Sequence, residues 1–177
     1  VTATGEAVSV VDPTSFDDFY LATSGRLLGQ LAAMTADRES AADALQDAYA
    51  KAWLDWRRVS QLDNPEAWVR TVAWRRAVSG WRRTSVARRA QPLVATPESH
   101  SDADVATAVT VRQALARLPM DQRRVLVLFE LCDLSVEDVA REVGVPVGTV
   151  KSRLARGRAA LGELLGVSEE VRHGSGA

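Results

Sequence analysis

Residues 134–161, LSVEDVAREVGVPVGTVKSRLARGRAAL, have the pattern of two short helices joined by a tight turn. Ser135 followed by Asp138 is a capping-box-like start: the hydroxyl can accept an orphan backbone N–H, and the carboxylate suits the positive end of a helix. Val136, Val139, Ala140 and Val143 then recur at helical spacing. Gly144 can take the left-handed conformation that stops a helix, and Pro146 presets the backbone for a second one starting near Val147. That second helix has two unlike faces. Val150, Leu154 and Leu161 suit a core, while Lys151, Ser152, Arg153, Arg156 and Arg158 carry cations and a hydroxyl. Such a helix fits the major groove of DNA, where arginine or lysine donates to guanine and other cations hold phosphates. A solvated basic helix packed on a neighbour has the same spacing, so both readings stand at this point.

At 177 residues and 46% hydrophobic content, the chain can fill one ordinary domain or two small ones. Abundant alanine and leucine with little β-branched alternation point to an all-α fold. No apolar run approaches the roughly 20 residues that span a bilayer. The first residues also lack a basic segment followed by an apolar one, so no membrane insertion and a cytoplasmic location are expected. Cys132 is the single cysteine, which excludes an intrachain disulfide. With His100 and His173 as the two histidines, both in segments expected to be flexible, neither a metal site nor another cofactor is expected. The net charge of −1 hides an uneven distribution. Residues 1–64 hold ten acids and five bases, whereas residues 65–91 hold seven arginines and one acid, Glu66. The bases of the last third gather toward its end, giving two basic patches on an otherwise acidic protein.

Residues 1–13 read as a loose tail. A helix can start at Thr14 or Ser15, with Phe16, Phe19, Tyr20, Leu27, Leu28 and Leu31 available for a core. The next helix begins between Ala36 and Glu39 and runs to about Trp56, with Leu45, Ala48, Tyr49, Ala52, Trp53 and Trp56 along its apolar stripe. Asp43, Gln46 and Asp47 cluster on the other side, with Lys51 one turn on. This acidic surface is either solvated or the seat of a basic partner helix; no histidine or further acidic cluster completes a catalytic site there. Residues 57–64 break the pattern, and Asn64–Pro65 opens a third helix, PEAWVRTVAWRRAVSGWRR. Its Val69, Val72, Ala73 and Ala77 suit a core, while Arg70, Thr71, Trp74, Arg75, Ser79 and Arg82 share another face. Cations beside an indole suit single-stranded nucleic acid, because guanidinium groups follow phosphates and aromatics stack on unpaired bases. A basic helix with buried tryptophans is the alternative. Residues 85–104 read as a flexible linker, after which helices resume near Val105 and Pro119, the latter with Val125, Leu126, Leu128, Phe129 and Leu131 as an apolar body. The residues after Gly166 read as a frayed tail.

Four stretches, ESAADALQDAYAKAW, NPEAWVRTVAWRRAV, ALARLPMDQRRVLVLFEL and residues 134–161, together resemble the extracytoplasmic-function sigma factors of bacterial RNA polymerase. With the spacing between them they cover nearly all of residues 16–165, in the minimal arrangement of region two joined directly to region four. The resemblance implies two small helical domains, region two over 14–84 and region four over 105–166, with a linker over 85–104 threading toward the RNA exit path. It implies that Asp43, Leu45, Gln46, Asp47 and Tyr49 meet core polymerase at its β′ coiled coil, and that region four meets the β flap. Asn64, Arg70, Thr71, Trp74, Arg75, Ser79 and Arg82 would then melt and read the minus-ten element. Thr149, Lys151, Ser152, Arg153 and Arg156 would read the minus-thirty-five element as duplex. Promoter DNA, core polymerase and an anti-sigma factor are the implied partners. The sequence departs from many members in having Arg75 where they carry asparagine and Ser79 with Gly80 where they carry a more acidic tract. A repressor would need a dimer or ligand module, and an enzyme a convergent polar site; no Gly-rich phosphate loop and no nucleophile paired with a base is present, so no catalytic residue is expected.

Overall fold

The computed structural model describes residues 13–85 and 104–166, with side chains over 16–79 and 110–166. The expected tails, nearly all of the expected linker and the side chain of Arg82 therefore lie outside the described residues. The described chain is all-α, with eight helices: α1 Pro13–Thr35, α2 Arg38–Leu54, α3 Trp56–Val59, α4 Pro65–Ser85, α5 Asp104–Arg117, α6 Met120–Glu130, α7 Val136–Val143 and α8 Val147–Leu165. Local chemistry sets most boundaries. Ala36 leaves α1 with a left-handed φ of 59°, and its N–H donates to the carbonyl of Ala32 at 2.9 Å. Asp37 then caps α2 by accepting the Ser40 N–H at 3.0 Å. Asn64 caps α4 in the same way, accepting the Ala67 N–H at 2.8 Å, and Pro65 takes the first turn, where a missing N–H costs nothing. One expectation differs: the stretch after α2 is not wholly irregular, because Trp56–Val59 closes one further helical turn.

In the first half α2 lies between α1 and α4. Its buried face is mostly small, Ala41, Ala44, Ala48 and Ala52, which allows close approach of helices carrying Leu27, Leu31, Met34, Val69 and Ala73. Trp56 is buried as the stripe requires, but Trp53 is 40% exposed and Tyr20 is 41% exposed. Both rings sit at the open end of the bundle, where the Trp53 ring meets that of Phe16 edge-on at 4.9 Å between centroids. In the second half, Val125, Val127 and Leu128 of α6 are enclosed with Val139 of α7 and Val150 of α8. Leu131, expected in this core, is 53% exposed because α6 has already ended at Glu130.

The two halves pack on each other, with α1 against α5 and α6. Arg123 stitches this junction. Its guanidinium donates to the carbonyls of Met34 at 2.8 Å, Ala116 at 3.0 Å, Leu115 at 3.3 Å and Thr35 at 3.4 Å. These carbonyls lie in the last turns of α1 and α5, so one cation donates to acceptors at two negative helix ends, Leu115 O also accepting the Leu118 N–H at 3.1 Å. Burial pushes the Arg123 pKa down.

Candidate nucleic-acid interface

The helix-turn-helix is built as its local chemistry demands. Ser135 Oγ accepts the Asp138 N–H at 3.1 Å and donates to Asp138 Oδ2 at 2.6 Å. Arg141 donates to the other carboxylate oxygen at 2.7 Å. The Ser135 hydrogen bond, with the nearby Arg141 charge, holds the Asp138 carboxyl below its usual range. Gly144 takes a left-handed φ of 75°, and the N–H groups of Gly144 and Val145 both donate to Ala140 O, at 2.9 and 3.1 Å. Pro146 precedes α8 with φ −59°. Val139 and Val150 lock the two helices together.

On α8 the expected reading residues do not share one fate. Lys151, Ser152 and Arg156 are exposed and Thr149 is half-buried beside them. Ser152 donates to Thr149 O at 3.0 Å, and Arg156 lies back along the helix on Ser152 O at 3.2 Å. Arg153 is instead half-buried and pairs with Asp121 of α6 at 3.0 Å. Arg158, placed on the outer face from sequence, is held by Glu130 at 2.6 Å and lies over the Phe129 ring at 5.0 Å.

The face of α4 is divided more sharply. Arg75 and Ser79 are exposed and Thr71 is half-buried. Arg70 and Trp74 are only 4% and 9% exposed, so in this state Trp74 follows the alternative of a basic helix with buried tryptophans and Arg70 is not on an open surface. The physical reason is the second half of the chain. Glu142, in the last turn of α7, accepts Arg70 Nε at 3.0 Å and Nη2 at 2.7 Å, a two-point pair of the planar kind. Burial opposes the Arg70 charge, yet the hydrogen bonds and charge of Glu142 outweigh it and raise the Arg70 pKa. The Arg124 guanidinium covers Trp74 at 4.5 Å from the ring centroid. Arg124 reaches Glu142 as well, donating to its backbone carbonyl at 3.3 Å. Asn64 is exposed, its side chain serving as the cap of α4.

On α2, Asp43, Gln46 and Asp47 face solvent. Leu45 and Tyr49, which the family resemblance groups with them, point into the core as the apolar stripe predicts, at positions that complete the alanine face. The Tyr49 hydroxyl is 2.7 Å from Thr23 Oγ1. Because Thr23 donates to Phe19 O, Tyr49 is the donor in that pair, and burial raises its pKa. Asp47 is joined to Arg76 of α4 at 2.6 Å on the surface. Among the described residues no three His, Cys, Asp or Glu side chains gather where a metal could bind, and no helix is long and apolar enough to cross a membrane. Sequence reading missed Arg123, Arg124 and Glu142. Two adjacent arginines directly before the apolar body of α6 were the available signal; nothing local marked Glu142.

Among the described residues, an all-helical fold with a helix-turn-helix in its second half and a cation-rich helix in its first is an arrangement shared by DNA-binding transcription proteins. Known relatives narrow it further. Residues 19–86 match the family described as sigma-70 region 2, and residues 108–161 match sigma-70, region 4. The ECF RNA polymerase sigma factor SigM of Mycobacterium tuberculosis is 35% identical over 156 residues, covering 88% of this chain and 79% of the relative. The RNA polymerase sigma-H factor of Pseudomonas aeruginosa is 30% identical over 180 residues, covering 90% and 91%. The solved structure of the sigma factor RpoE in complex with the anti-sigma factor NepR, from Bartonella quintana, superposes with a TM-score of 0.73 at 27% identity, covering 88% of this chain and 99% of that one. The chain belongs to the ECF sigma factors of RNA polymerase, which direct promoter-specific transcription initiation.

Proposed function

We propose that this sigma factor joins core polymerase through α2, unpairs and holds the minus-ten element along α4, and reads the minus-thirty-five element as duplex with α8. The observation that carries the reading is the exposed row Lys151, Ser152 and Arg156 on the second helix of a capped helix-turn-helix, in a chain whose other half carries a second cation-rich helix. Region two spans 14–84, the linker 85–104 and region four 105–166. Asp43, Gln46 and Asp47 supply the acidic surface for the β′ coiled coil, with Leu45 and Tyr49 shaping it from beneath, and region four meets the β flap. Arg70, Thr71, Trp74, Arg75, Ser79 and Arg82, with Asn64 at the helix start, serve unpaired DNA by phosphate pairing and stacking. Thr149, Lys151, Ser152, Arg153 and Arg156 serve the duplex. The protein supplies binding and positioning and no catalytic chemistry of its own. An anti-sigma factor is a further partner, a reading supported by the NepR complex of the RpoE relative.

Mixing the protein with core polymerase and separating the products by size tests this, followed by run-off transcription. A one-to-one complex that starts at a discrete site is expected; a chain that binds promoter DNA alone and never joins core polymerase overturns the reading. Asp47→Arg separates the surfaces. It loses only an exposed ion pair with Arg76, worth less than about 1 kcal/mol, so the fold persists while complex formation weakens. Unchanged affinity for core polymerase would remove Asp47 from the interface.

A further inference from the structure

The cations of α8 are not equally free. At about 100° of turn per residue, Val150, Leu154 and Gly157 form the buried stripe of the helix, and Arg153 and Arg158 flank that stripe on opposite sides. Ser152, Ala155, Arg156 and Ala159 lie across from it and are exposed. The floor beneath the stripe is α6, close enough that a Cβ added at Gly157 would meet Gln122 Cβ at 3.6 Å. A helix with its side chains is about 10–12 Å across, and the major groove is about 12 Å wide. A helix seated with its exposed face on the bases therefore brings its two borders against the two phosphate backbones. Arg153 and Arg158 are the arginines at those borders.

Both are already paired, and both partners come from α6. Asp121, in the first turn of α6, holds Arg153 Nε at 3.0 Å. Glu130, its last residue, accepts Arg158 Nε at 2.9 Å and Nη2 at 2.6 Å. By contrast, among the described residues Arg156 donates only to Ser152 of its own helix, and Lys151 is exposed. The seats of the two carboxylates differ. Asp121 stands at the positive end of α6, and its other oxygen accepts the Gln122 N–H at 3.0 Å, which fixes the acid in place. Glu130 stands at the negative end, where an acid opposes the helix dipole, so the stability of α6 does not account for it. Each border of α8 thus offers a neutral pair, not a bare cation, to the backbone it would face. An arginine that arrives already neutralised releases few counterions from DNA and adds little to affinity.

We propose that Asp121 and Glu130 act as a charge brake on α8: they neutralise its two border arginines, so that region four grips the phosphates of any duplex weakly and depends on the bases for binding. This rests on the assignment of α8 to duplex DNA made above. One consequence is that bulk DNA retains the free chain less.

Glu130→Gln, Asp121→Asn and the double variant test the brake in the full chain, by fluorescence anisotropy of a fluorescein-labelled duplex of random sequence across a potassium chloride titration. Each released arginine is expected to steepen the slope of log affinity against log salt by about 0.9, and to tighten binding up to roughly tenfold at about 0.1 M salt. A duplex selected by the holoenzyme from a random pool and its scrambled form should gain alike, because phosphates carry no sequence. Adding Arg158→Gln to Glu130→Gln should restore the slope of the parent. Glu163→Gln makes the same change of charge at an exposed residue of α8 that has no arginine partner among the described residues, and it should leave the slope as it was. Glu130 is exposed at the end of α6, so its variant decides the matter if Asp121→Asn loses helicity. Three results overturn the brake: an unchanged slope, an equal gain in Glu163→Gln, or a shifted ratio of selected to scrambled binding, which would show the pairs tilting α8 instead of shielding it. Arg156→Ala is measured alongside. Equal binding of every duplex by Arg156→Ala and the parent counts against the assignment of α8, whereas a loss in Arg156→Ala with no gain in the neutralised variants counts against the brake alone.

Discussion

Replacing Arg123 by methionine is expected to destabilise the protein by about 2–3 kcal/mol, although no carboxylate partner is lost. The guanidinium makes two short hydrogen bonds, to Met34 O at 2.8 Å and Ala116 O at 3.0 Å, and two long ones, to Leu115 O at 3.3 Å and Thr35 O at 3.4 Å. Bonds to a charged donor contribute about 1.5–3 kcal/mol each. Counting only the short pair gives a gross loss of about 3–6 kcal/mol. Part returns because methionine fills a similar volume without the desolvation cost that lowers the Arg123 pKa. At about 3 °C per kcal/mol for a chain of this size, the midpoint of thermal unfolding should fall by roughly 6–9 °C, followed by circular dichroism at 222 nm. The transition should also broaden or split, because the tie between α1 and α6 is cut while each half keeps its own core. Arg123→Lys should lose about half as much, since a compact ammonium reaches one helix end and not both. A methionine variant melting within about 1 °C of the parent would refute the idea that this cation joins two helix termini.

Other outcomes follow from single sites. Ala36→Gly should stabilise by about 0.5–1 kcal/mol, because Ala36 holds a left-handed φ of 59° that costs alanine more than glycine; a lower denaturation midpoint would contradict this. Arg156→Ala should leave the fold intact, since Arg156 bonds only within its own helix turn, yet weaken holoenzyme binding to a minus-thirty-five duplex by about 1–3 kcal/mol. A binding isotherm identical to that of the parent would exclude Arg156 from duplex reading. Burial raises the Cys132 thiol to about 11, so at pH 8 iodoacetamide should label the folded chain about a hundredfold more slowly than the denatured one. The linked stability is complete below the unfolded thiol range and is lost as pH rises from about 9 to about 11; similar labelling rates in both states would show an accessible thiol.

Sequence alone determined where most helices start and which of their faces are apolar, though not the extra turn Trp56–Val59 or the end of α6 at Glu130. Ser135, Gly144 and Pro146 frame the helix-turn-helix, and Asn64 with Pro65 opens α4, because caps and turns act over three or four residues through the backbone. The same periodicity separated Val150 and Leu154 from Lys151 and Arg156. Only the tertiary structure decided what covers each remaining face. Arg153 shares the basic face of α8 with Lys151 and Arg156, yet α6 supplies Asp121 to it and leaves it half-buried. Trp53 satisfied the apolar stripe and still came to lie half in solvent at the end of the bundle. The decisive case is Arg70, whose partner Glu142 lies 72 residues away. A helical period says that Arg70 and Trp74 share a face; whether water, DNA or region four meets that face depends on how two halves dock, which no signal of a few residues encodes.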